Sequence, residues 1–190
     1  DLTQTRAAYQ STEFSTPGQA KFYSKGPDKA HSAAVFLPDR VLLVEEWTGL
    51  AYSEFTARVQ EVLGRGFQPF EITDLLAHSV TIRTTFSLTH YQDARAFLLD
   101  RVCAQKGCVG LFFQRPLAIA GLRFVLPETP ECRGALHVAI ESFRHDPREV
   151  FVEVKGVFAG QTPVHGFESI AMSLAQVRGF ITDNVYPYLN

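Results

Sequence analysis

The sequence predicts an α+β domain: an antiparallel sheet with two shorter helices and one long C-terminal helix packed on one face. Two observations carry this expectation. Between Ser79 and Leu88, the residues Val80, Ile82, Thr84, Phe86 and Leu88 alternate strictly with Ser79, Thr81, Arg83, Thr85 and Ser87. A wholly polar second face means a sheet with one side open to water, which antiparallel sheets allow and doubly covered parallel sheets do not. Near the C-terminus, Phe167, Ile170, Leu174, Val177, Ile181 and Val185 recur at helical spacing and form a stripe wide enough to cover a sheet.

Taken in order, residues 1–31 are polar and punctuated by Pro17-Gly18 and Gly26-Pro27. They read as an arm or long loop, docking through Phe14, Phe22 and Tyr23, ahead of a single domain over 32–190. Ala33–Leu37 and Val41–Trp47 are short apolar runs around Pro38-Asp39, expected as two strands or one bent strand. Tyr52, Phe55, Val59, Val62 and Leu63 then recur at helical spacing. They predict an amphipathic helix ending at Gly64-Arg65-Gly66, with Pro69 just beyond. After the alternating strand, a second helix starts near Asp93, with Ala94, Phe97, Leu98 and Val102 inward and Lys106-Gly107 as its C-terminal cap. Strands are expected at 108–114, 117–126, 135–144 and 149–158, separated by Arg115-Pro116, the loop 127–134 and His145-Asp146-Pro147-Arg148. The last helix covers 166–185 and is stopped by Pro187. This order resembles a helix-grip layout and carries no family motif.

The 190 residues are 46% hydrophobic and 12% aromatic, enough for a sizeable core. Eighteen basic against twenty acidic residues leave a net charge of −2, and no basic stripe interrupts the balance. Nucleic acid and anionic membrane are therefore not expected as partners. No apolar stretch approaches the roughly 20 residues that cross a bilayer, so no membrane span is expected. Three cysteines, Cys103, Cys108 and Cys132, are an odd number in a chain able to bury a core without staples. That favours a reducing, cytoplasmic setting, with a Cys103–Cys108 bridge left open. The first residue is Asp1, so a removed leader and a secreted form also stay open.

The hairpin before the last helix allows a sharper expectation. Leu136, Val138, Ile140 and Ser142 share one face of their strand; Val150, Val152, Val154, Gly156 and Phe158 share one face of theirs. Both sets must lie on the same side, because a one-residue slip would mix Ile140 with Glu153. A three-residue loop, Asp146-Pro147-Arg148, meets this condition and sets Glu141 opposite Glu153, with Cβ atoms about 5 Å apart. Lys155 becomes a diagonal neighbour of Glu141, His137 lies further along, and Arg83 and Arg123 reach the same polar face. Opposed carboxylates raise at least one pKa, the arrangement that acid/base chemistry uses. Glu141, Glu153 and His137 are the candidate catalytic residues on that account. The alternative is a solvated face compensated by Lys155 and arginine.

Other chemistry is thin. The six histidines form no HExxH or HxH pattern, and no Cys-x-x-Cys occurs, so no metal or other cofactor is expected. Cys132, beside Arg133, is the one plausible reactive thiol; there is no G-x-S-x-G elbow and no phosphate-binding glycine loop. Phe112, Phe113, Phe124, Phe143, Phe151, Phe158 and Phe180 either fill the core or line a cavity between sheet and helix. Arg83, Arg123, Lys155, Phe124, Phe143 and Phe180 are the candidate ligand-binding residues. The expectation for function is a non-enzymatic binding or assembly module, self-associating or partnered by another protein. A carrier of a small apolar ligand and an acid/base enzyme are the alternatives.

Overall fold

The computed structural model describes residues 9–16, 18–67, 71–104, 114–163 and 167–190. The expected strand at 108–113, the Lys106-Gly107 cap, Pro17, Pro69, Cys108, Phe112, Phe113 and His165 lie outside the described residues. The class is α+β, with two four-stranded antiparallel sheets where the sequence reading had one. The chain divides into two compact units, Asp1–Leu75 with Thr162–Glu168, and Leu76–Gln161 with Ser169–Asn190.

The first unit is a meander, β1 (Ser11–Thr16), β2 (Gln19–Lys25), β3 (His31–Phe36) and β4 (Val41–Glu46), in that spatial order. Ser11–Thr16 and Gln19–Lys25, within the stretch expected as an arm or loop, are thus two strands of a sheet. Gly18, at φ +85, stands in the reversal between the paired residues Thr16 and Gln19. Gly26 and Ala30 close the next turn through Gly26 N–H to Ala30 C=O, 2.8 Å, and Ala30 N–H to Pro27 C=O, 2.9 Å. Helix α1 (Tyr52–Phe67) takes Gly64, Arg65 and Gly66 into its last turn. Its start is closed by Glu54, whose carboxylate accepts from the Ala51 N–H at 3.0 Å. Val62 of α1 joins Tyr9 and Ala34 in a buried cluster, flanked by Phe22, Phe36 and Leu43. Glycine at 66 is required there, because a Cβ would lie 2.5 Å from the Phe36 ring.

The second unit is built on β5 (Asp74–Ser87), β6 (Gly121–Leu126), β7 (Ala135–Ser142) and β8 (Glu149–Pro163), in the order β5-β8-β7-β6. Helix α2 begins as Ala94–Ala96 and widens into a π-helical stretch, Phe97–Val102. Asp93 caps it by accepting from the Arg95 N–H at 2.8 Å. Helix α3 runs Glu168–Phe180, continues as a π-helical stretch Ile181–Val185, and ends in a last turn Tyr186–Leu189. All six residues of the expected C-terminal stripe are buried. Pro187 does not stop the helix. The helix runs on through it to Leu189, with Tyr186 N–H bonded back to Ile181 C=O just before it.

Even-numbered residues of β6, β7 and β8 form the inner face under α3. A Cβ at Gly156 would lie 2.7 Å from Val177 Cγ2, so helix and strand meet there nearly backbone to side chain. Val150, Val152 and Val154 are fully buried along the same face. His78 belongs to it as well, stacked on Phe158 with ring centroids 4.9 Å apart.

Candidate functional site

The polar face of the second sheet carries the residues that the sequence singled out. The β7–β8 faces match the expected parity, but the register is shifted by two: Glu141 pairs with Phe151, Ala139 with Glu153 and His137 with Lys155. The physical reason lies in the turn. Asp146-Pro147-Arg148-Glu149 closes as a β-turn, with Glu149 N–H donating to Asp146 C=O at 3.1 Å and the Asp146 carboxylate accepting from the Arg148 N–H at 2.8 Å. Asp before Pro is the preferred start of such a turn. Phe143 N–H then donates to Glu149 C=O at 2.8 Å, so the ladder closes at Phe143 rather than His145.

The two glutamates are therefore diagonal, and each is met by its own arginine. Arg83 Nε donates to Glu153 at 2.6 Å, and Arg123 Nη2 to Glu141 at 3.3 Å. Gly121 stands directly across from Glu141, and a Cβ there would lie 2.7 Å from Glu141 Cγ, so the glycine gives the glutamate its room. His137 lies four residues from Glu141 on the same strand, about 13 Å away and out of reach. It faces Lys155 instead.

The phenylalanines separate. Phe143 stacks on Phe151 of the polar face, with centroids 6.2 Å apart. Phe124 and Phe158 belong to the inner face, where Phe124 meets Tyr188 edge-on at 6.1 Å. Phe180 is half-buried on α3. The structure does not gather Phe124, Phe143 and Phe180 into one lining.

Four features escaped sequence reasoning. In the first unit, Arg58 of α1 reaches between β3 and β4, donating to Ser32 Oγ at 3.0 Å and forming an ion pair with Glu45. Ser32 and Glu45 are direct cross-strand partners, and the Ser32 hydroxyl also donates to Glu45. Glu45 Oε2 is buried without a hydrogen-bond partner. Burial pushes the Tyr9 phenol beside this cluster above its ordinary value, with Arg58 pulling the other way. Nothing in the sequence brings residues 9, 32, 45 and 58 together; only the strand register does.

In the second unit, β6 is an edge strand among the described residues, and it exposes consecutive apolar side chains: Phe124 at 40%, Val125 at 66% and Leu126 at 40%. Further along, Phe97, Arg101 and Val102 of α2 and Tyr188, Leu189 and Asn190 of α3 line a surface depression of about 240 Å³. A second depression of about 210 Å³ lies at Ser87, Leu88, Asp146, Arg148 and Glu149.

Gln176 of α3 ties down the loop before β7, donating to Arg133 C=O at 2.8 Å and to the Cys132 thiol at 3.1 Å. Cys132 therefore sits as a hydrogen-bonded loop residue. Among the described residues, no group of three or more His, Cys, Asp or Glu side chains is placed to hold a metal ion. No helix among them is long and apolar enough to cross a membrane. No protein-family model matches the chain, and neither the curated proteins nor the solved structures contain a significant match.

Proposed function

We propose that the chain is a non-enzymatic assembly module that pairs with a second copy of itself along the β6 edge. The observation that carries this reading is the exposed apolar run Phe124-Val125-Leu126 on a strand that is an edge among the described residues. An edge run that holds neither charge nor proline is a template for another strand. Ser142 N–H donates to Ala120 C=O at 2.8 Å, which fixes the phase of the β6–β7 ladder. Even residues of β6 turn their backbone groups toward β7, and Gly121, Arg123 and Val125 turn theirs outward. An incoming strand must meet those three.

Self-pairing has few registers. Even residues must face even residues, or one inner face would be turned to water. Centring on Arg123 sets guanidinium against guanidinium. Centring on Val125 sets Arg123 against Pro127, which has no N–H to give. Centring on Phe124 pairs Arg123 with Val125 of the other copy, Leu122 with Leu126, and Phe124 with Phe124, and keeps each Arg123–Glu141 ion pair. The strand is short, so the interface is below standard size and a micromolar or weaker dimer is expected.

Light scattering coupled to size exclusion, run over a concentration series, tests this. The wild type is expected to shift toward dimer with concentration, and Val125→Lys to stay monomeric with an unchanged unfolding midpoint. A wild type still monomeric at about 1 mM, or a Val125→Lys dimer as tight as wild type, overturns the reading.

A further inference from the structure

We infer that the depression between α2 and the end of α3 is a binding site for a small monocarboxylate carrying a compact apolar body, a single ring or a short branched chain. Three observations meet there. The floor is apolar: Phe97 and Leu189 are buried, Val102 is half-buried, and Tyr91 holds the Phe97 ring edge-on at 5.0 Å. One wall is the Tyr188 ring, itself braced by Phe124. On the rim stands Arg101, exposed, with neither ion-pair nor hydrogen-bond partner among the described residues.

Both walls are made by departures from α-helical winding. Cys103 N–H donates back five residues to Leu98 C=O at 2.9 Å, and Tyr186 N–H reaches back five residues to Ile181 C=O. Such π-helical turns are rare and recur at functional sites, because the extra residue re-aims the side chains that follow. Here they re-aim Arg101 and Val102 on one side and the Tyr188–Asn190 turn on the other. Two such turns converging on one depression is the juxtaposition that marks it as a site.

The ligand class follows from the lining. A guanidinium presents a planar pair of donors that matches a carboxylate bidentately. Arg101 is the one cation among the lining residues, and a phosphate dianion would leave charge uncompensated against Phe97 and Leu189. At about 240 Å³, the space is smaller than the roughly 300–1,000 Å³ of pockets for drug-sized molecules, so the apolar body is confined to one ring or a short branched chain. The neighbouring Asp100 is not part of the lining, since adjacent residues on a helix point about 100° apart.

The test is an amide chemical-shift titration of the full chain with phenylacetate, its neutral counterpart 2-phenylethanol, and inorganic phosphate. Phenylacetate is expected to give saturable shifts confined to Phe97–Val102 and Tyr188–Asn190, with millimolar affinity. Arg101→Gln should weaken it by about tenfold while leaving 2-phenylethanol unchanged, and Arg101→Lys should fall between. Arg101 is exposed, so the amide spectrum of each variant verifies that it folds. Absence of saturation up to about 20 mM, equal binding by Arg101→Gln, or shifts centred elsewhere would refute the site. Phosphate binding tighter than phenylacetate would overturn the carboxylate assignment.

Discussion

Gly156→Ala tests how α3 is seated on the second sheet. The new Cβ would lie 2.7 Å from Val177 Cγ2, and 2.7 and 2.9 Å from Cε2 and Cζ of Phe158. Val177 is fully buried, and Phe158 is held against His78, so neither yields freely. Inserting a methyl into a filled core destabilises by about 1–3 kcal/mol. Reduced freedom of the unfolded chain returns about 0.4–1 kcal/mol. The net expectation is a loss of about 1–2 kcal/mol, or about 2–8 °C in Tm for a chain of this length. Urea unfolding followed by circular dichroism reads the loss, and a double-mutant cycle with Val177→Ala reads its cause. Val177→Ala alone should cost about 2–3 kcal/mol through the cavity it leaves. In the double variant the methyl introduced at Gly156 occupies part of that cavity, so the two single losses should sum to more than the measured total by about 1 kcal/mol. Additivity within about 0.5 kcal/mol would mean that α3 does not rest on Gly156, and the packing argument would fail.

Two further outcomes concern buried polar groups. Arg58→Met should destabilise the first unit by about 3 kcal/mol, because it strands Glu45 between sheet and helix, and Arg58→Met/Glu45→Leu should recover most of that loss in the same urea assay. Equal losses for the single and double variants would show that the pair is not coupled. His78 donates from Nε2 to Ser173 Oγ at 2.9 Å, since the Ser173 hydroxyl spends its own proton on Ser169 C=O. Burial holds the imidazole below its ordinary value. The unfolded chain therefore takes up the proton first, so stability is full above about pH 6.5 and declines as pH falls through that value toward the folded one. His78→Gln should flatten this part of the stability–pH curve; an unchanged slope would locate the titration elsewhere.

Much of the second unit was legible because its periods are clean. The α3 stripe steps by three and four residues up to Ile181, then by four to Val185 and by four again to Leu189. At 100° per residue, repeated steps of four drift around an α-helix. The π-helical stretch, with more residues per turn, keeps Ile181, Val185 and Leu189 on one side, and all three are buried. That doubled step was the only sign of the depression in the sequence, and Pro187 masked it by suggesting an end. The first unit was harder to read because β2 is half-buried along nearly its whole length and shows no clean alternation. Ser24 and Ser32 stand where an apolar alternation would have announced a strand, and Ser32 is there to serve Glu45 and Arg58.

The hairpin register separates what alternation can determine from what it cannot. Faces depend on parity, and parity survives a shift of two residues; opposition does not. Glu141 and Glu153 share a face as the pattern requires, yet a β-turn at Asp146-Pro147 moves them from opposed to diagonal and gives each its own arginine. Such partly exposed pairs contribute at most about 1 kcal/mol. Their larger effect is on what the face offers a partner. With its acids answered by Arg83 and Arg123, the centre of the polar face presents balanced charge and gives a charged partner little to grip. The apolar edge of β6 and the guanidinium of Arg101 have no such complement among the described residues, and they are the features a partner or ligand would engage.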